Sequence, residues 1–159
     1  MTQLSVQRRG VNFEQMAEKF KIDVKELKRE TMLDMAKTIS MNSPVDSGTY
    51  AVNHEVRLRS GSFQATKTRP DERSRVSRDG KAHIPNAREI GLRNMQDDIG
   101  GLDLSKDTFV FRNPMAYAGL IEAQATGDKT GNPPVYAATV REAPAIIDRV
   151  ARAIAARNR

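Results

Sequence analysis

Polar and apolar positions alternate with two different periods along this chain, and the changes of period mark out its elements. Residues 11–42 follow a helical period. Asn12 stands where an N-cap belongs, and Gln15 lies three positions on, in the capping-box place. Asp23 opens a second and stronger signal, "DVKE", with Glu26 as its capping-box partner. Beyond it, Val24, Leu27, Met32, Met35, Ala36 and Ile39 recur at spacings that make one apolar stripe. Lys25, Lys28, Arg29 and Lys37 are assigned to the other faces. The helix is expected to end before Pro44, because a proline disfavours helical backbone in the residue ahead of it.

Residues 52–60, "VNHEVRLRS", alternate instead. Val52, His54, Val56 and Leu58 fall on one side, which predicts a half-buried strand. Residues 60–105 are rich in Ser, Arg, Lys, Gly and Pro. Few large apolar groups there offset the entropy of ordering, so the segment is read as a long loop or arm with a short helix over 86–97. "DTFVFR" (107–112) is a short apolar strand. "NPMAYAGLIEA" (113–123) then reads as a helix, with Asn113 as N-cap and Pro114 at the first helical position. After an irregular loop, 135–157 carries Tyr136, Val140, Ala143, Ile147, Val150 and Ile154 at helical spacing, with Pro144 expected to kink or restart the helix. The skeleton predicts one α+β domain over 1–159. It consists of a small antiparallel or mixed sheet packed by a long N-terminal helix, a short helix and a C-terminal helix, with an extended basic arm over 60–85.

Composition changes this picture in two ways. With 38% hydrophobic and 5% aromatic residues and no Trp, the core is expected to be modest and to lean on partner subunits. The absence of Cys removes disulfides, thiolate metal sites and Cys nucleophiles. No apolar run approaches the roughly 18 residues that cross a bilayer, and no signal-peptide pattern opens the chain, so synthesis in the cytosol and no membrane partner are expected. The net charge of +6 points to a polyanionic neighbour or a positively lined surface.

Candidate chemistry is sparse. His54 and His83 lack metal-ligand spacing, and each is expected to be packed or solvated. "DGK" (79–81) and "GDKTG" (127–131) lack the P-loop frame. Asp97 and Asp98 have no apolar surroundings in sequence that would raise a carboxyl pKa, and are expected on the solvated surface. No catalytic residue, cofactor or metal is expected. The arm supplies Lys67, Arg69, Arg73, Arg75, Arg78, Lys81 and Arg88 against few acids, an excess able to meet phosphates in a salt-dependent, sequence-blind way. Phe63 is its only nearby aromatic, so stacking on single-stranded bases is poorly supported.

The stretch "SPVDSGTYA" (43–51), followed later by "FVFRNPMAYAGLIEA" and a closing amphipathic helix, resembles the tail-completion and head–tail joining proteins of tailed bacteriophages. The likeness rests on Pro44, Val45, Asp46, Ser47, Gly48 and Tyr50, then on Asn113, Tyr117, Ala118, Ile121 and Glu122. One departure is the "EAQATG" after the second motif, where the family places Gly directly after the Glu. The resemblance implies a virion structural protein made in the host bacterial cytoplasm and placed at the phage neck. It would form a homo-oligomeric ring, a hexamer, around a channel that DNA crosses, and would touch neighbouring neck and tail-tube proteins. The residues agree with a corner rather than a reactive loop. Asp46 is suited to accept backbone N–H bonds, Gly48 to adopt a positive φ, and Pro44 to stop the helix. Glu122 is suited to cap a helix or to pair with a cation. The alternative is a basic DNA-binding module acting through 60–93, which no helix-turn-helix or zinc pattern accompanies.

Overall fold

A computed structural model describes residues 3–5, 12–45, 48–58, 75–76, 82–106, 109–114, 122 and 134–159. Helix α1 spans Phe13–Phe20, and the Asn12 side chain accepts from the backbone N–H groups of Glu14 and Gln15. It closes at Lys21, whose left-handed backbone lets the N–H of Ile22 reach Ala17 O at 2.9 Å and its own N–H reach Glu18 O at 3.1 Å. Helix α2 spans Val24–Asn42, capped by Asp23 through Glu26 N at 2.8 Å. Asn12 and Asp23 therefore both act as N-caps, as expected.

A three-stranded antiparallel sheet follows the order β1-β5-β2, from β1 (Gln3–Ser5), β2 (Glu55–Leu58) and β5 (Phe109–Arg112). Val56 is the register partner of Phe111, and Leu58 of Phe109. These four side chains join the core with Leu27, Met32, Met35 and Ile39 of α2. The last helix, α5, spans Val135–Arg157 and packs on α2 with Tyr136, Ala143, Ile146, Val150, Ala151 and Ile154 in the core. The described architecture is α+β, as the sequence pattern predicts.

Helix α4 (Ala87–Gly100) crosses the one-turn helix α3 (Thr49–Val52) and guards the free edge of β2. The crossing is very close, since a Cβ added to Gly91 would lie 1.9 Å from Ala51 O. Asn94 donates to Val52 O at 3.2 Å, and Asp98 accepts from Val56 N at 3.1 Å. One helix face thus binds a carbonyl at the end of α3 and one N–H of the free edge of β2, a group that an edge strand otherwise presents to other chains. On the sheet face opposite Val56, Glu55 and Arg112 are register partners, each 2% exposed, and Arg112 Nε donates to Glu55 Oε1. Arg57 reaches the second Glu55 oxygen at 3.3 Å, so the buried carboxylate is matched on both oxygens.

The structure corrects several sequence expectations. Val52 ends α3 rather than beginning a strand, and only 55–58 is extended, because Gly48 turns the chain into a helical turn first. Asp98 is not simply solvated, since it binds the edge of β2. Lys28 does not face away from the core. It is 4% exposed, with Nζ at 3.5 Å from Leu104 O, 3.4 Å from Lys106 O and 3.6 Å from Glu14. Its long stem crosses apolar ground while its ammonium ties the 101–106 turn to α2. Pro144 neither breaks nor restarts the last helix, which continues through it. The arm contains an antiparallel ribbon of β3 (Arg75–Val76) and β4 (Ala82–His83), with Arg75 opposite His83.

Candidate functional site

Ser43 ends α2 and is fully buried. Its Oγ donates to Ile39 O at 2.6 Å, one turn back, which closes the helix. With its proton committed there, Ser43 Oγ accepts from His54 Nε2 at 2.6 Å. His54 therefore carries its proton on Nε2 and presents a lone pair at Nδ1. Tyr136 O–H, at the start of α5, donates to that lone pair at 2.6 Å, and the Asn113 amide lies 3.5 Å from it. Burial pushes the Tyr136 phenol well above its ordinary value and so keeps its proton in place. Burial also lowers His54 from 6.5 to about 3, so the imidazole is neutral at neutral pH.

The two motif segments meet around this ring. Tyr50 and the imidazole form a T-shaped pair with ring centroids 5.0 Å apart, and Tyr136 forms a second with it at 5.6 Å. Asn113 Nδ2 donates to Tyr50 O at 2.8 Å, joining the end of β5 to α3. Gly48 has φ +85°, and a Cβ there would stand 2.8 Å from Ala87 Cβ and 2.9 Å from Ile84 O. Only glycine meets both the backbone angle and the space. Arg88 Nε donates to Ser43 O at 2.9 Å while Ser40 Oγ donates to Arg88 O at 2.7 Å, a reciprocal clamp of α4 on the end of α2.

Glu122 completes the arrangement. Pro134 precedes α5 and offers no side-chain cap. The Glu122 carboxylate takes that place from earlier in the chain. It accepts from Val135 N at 3.0 Å, Tyr136 N at 3.0 Å and Ala137 N at 2.8 Å. Three otherwise unpaired N–H groups and the positive end of the helix dipole are satisfied by one anion.

The chemistry of this cluster is that of a joint. Ser43 and His54 are in contact, yet the proton runs from His54 to Ser43, opposite to what a histidine base needs to activate a serine. Ser43 is 0% exposed and His54 2%, which leaves no face for a substrate. Among the described residues, no group of three or more His, Cys, Asp or Glu is placed to hold a metal ion. No helix among them is long and apolar enough to cross a membrane.

Of the residues singled out by sequence, Gly48, Tyr50, Asn113 and Glu122 converge here, and Pro44 follows Ser43 at the end of α2. Asp46, Tyr117 and Ala118 lie outside the described residues, as do Lys67, Arg69, Arg73, Arg78 and Lys81. Arg75 is described only as backbone of β3. Arg88 belongs to α4 and not to the arm, because its Nε is engaged by the end of α2. Sequence reasoning left His54 and the Tyr136 hydroxyl without a role. Comparison of the chain with protein-family models, curated proteins and solved structures finds no match.

Proposed function

We propose that this chain is a structural subunit of the neck of a tailed-phage particle, one copy of a homo-oligomeric ring that completes the tail and joins it to the head. The observation that carries the reading is the meeting of both motif segments in one buried joint. Residues 48–50 of the first segment and Asn113 and Glu122 of the second are held together by Asn113–Tyr50, His54–Tyr136 and Glu122 on α5. A protein whose motif residues hold elements in fixed relation, with no reacting group exposed among the described ones in the joint, works through shape and surfaces. This supports a building block over an enzyme. In this reading the ring is a hexamer around a channel that DNA crosses. Neighbouring neck and tail-tube proteins are its partners, and the basic arm contacts either the lumen or an acidic partner surface.

Quantitative mass spectrometry of purified particles from the host tests the proposal. The expected result is a constant copy number per particle in a multiple of six, retained after DNA ejection. A chain absent from mature particles overturns it. Duplex binding that falls steeply with salt would then favour the DNA-binding alternative.

A further inference from the structure

We propose that the open cleft between the C-terminal ends of α1 and α5 binds a phosphate group. The cleft has a volume of about 520 Å³ and is lined by Lys19, Phe20, Lys21, Ala155, Asn158 and Arg159. That is within the range of small-ligand sites, roughly 300–1,000 Å³. Three of the six lining side chains are cationic, Phe20 and Ala155 supply apolar wall, and Asn158 adds a neutral donor. The Phe20 ring is flanked by two cations, with Lys19 Nζ 5.4 Å and the Arg152 guanidinium 5.7 Å from its centroid. Arg152 is already matched by Asp148 at 2.8 Å. Lys21 and Arg159 have no such acid partner in the ion pairs described around the cleft.

The backbone at Lys21 is a separate observation. Residue 21 has φ 53° and ψ 48° at the position after a helix where glycine usually stands. An L side chain is strained there, and this lysine is one of the residues that line the cleft. The surrounding turn is firmly made, by Ile22 N to Ala17 O and Lys21 N to Glu18 O, so the backbone that carries the exposed lysine is fixed. Two flexible ammonium groups and a guanidinium fork suit a multiply charged oxyanion better than a single carboxylate. The ligand class is therefore a phosphate, whether of a free phosphate compound or of a nucleic-acid backbone. This inference stands apart from the ring reading.

The test is an amide-shift NMR titration of the full chain at constant ionic strength, with pyrophosphate in one arm and a short DNA duplex in the other. Saturable shifts centred on 19–22 and 155–159 are expected. In Lys21→Gly the apparent Kd should weaken at least five-fold while the fold persists, since glycine suits the turn. Lys19→Ala and Arg159→Ala should each weaken it as well. Saturation by pyrophosphate assigns a free phosphate ligand, and saturation by duplex alone assigns the nucleic-acid backbone. Shifts that fail to saturate in both arms, that appear equally at Arg29 and Arg93, or that survive Lys21→Gly unchanged overturn the proposal.

Discussion

Lowering the pH from 7 to 4.5 attacks the buried joint at its centre. His54 titrates near 6.5 in an unfolded chain and at about 3 in the fold, because burial disfavours the imidazolium. Geometry reinforces this: a proton on Nδ1 would face the Tyr136 O–H and the Asn113 amide, both donors in the neutral arrangement. The folded pKa is the lower one. Below 6.5 the unfolded chain binds a proton that the folded chain refuses, and stability falls as pH falls. Each pH unit in this window costs about 1.4 kcal/mol. Between 6.5 and 4.5, where most carboxylates remain ionised, the loss reaches roughly 2–3 kcal/mol, a large share of the 5–15 kcal/mol typical of a domain. By pH 3, where the folded imidazole itself takes up a proton, it reaches about 4 kcal/mol and levels off below. Urea denaturation followed by circular dichroism at pH 7, 6, 5 and 4.5 measures it. His54→Gln is expected to be less stable at pH 7 but to show a much flatter dependence over the same window. Parallel curves for the two proteins, or a wild-type curve that is flat from 6.5 to 4.5, would refute the reasoning.

Other perturbations probe the rest of the frame. Gly91→Ala places a methyl 1.9 Å from Ala51 O and should cost about 3 kcal/mol or more in urea denaturation as α4 is pushed from α3. Glu122→Ala removes the carboxylate that caps α5 and should cost about 1–2 kcal/mol, with loss of amide exchange protection concentrated at Val135–Ala137. Lys21→Gly relieves a left-handed non-glycine residue and should raise stability by about 1 kcal/mol, read as a higher urea midpoint with an unchanged slope.

Where local chemistry decides the structure, the sequence was legible. Asn12 and Asp23 cap their helices through short-range bonds that involve neighbours two and three residues away. Gly48 takes a positive φ within a recognisable turn, and the apolar stripe of 135–157 coincides with α5. Misses came where a distant partner decides. Lys28 is buried because carbonyls 76 and 78 residues away meet its ammonium. His54 has partners 11 and 82 residues away, and Asp98 bonds a strand 42 residues earlier. No window of sequence contains both ends of such bonds. Val52 departs from the strand pattern for a related reason: alternation over 52–58 is real, but the turn at Gly48 and the close crossing at Gly91 hold 49–52 helical. Of the candidate residues, the order of the motifs pointed to Tyr50, Asn113 and Glu122, while the histidine they surround gave no sign in its spacing.

The ring reading is tested most directly by electron cryomicroscopy of intact particles, with this fold located in the density by its α2–α5 pair and the helix α4 crossing. The account predicts a six-fold ring of this chain between portal and tail tube, with the His54 joint buried inside each subunit. Density at that place that cannot hold this fold, or the fold found only outside the neck, would contradict it.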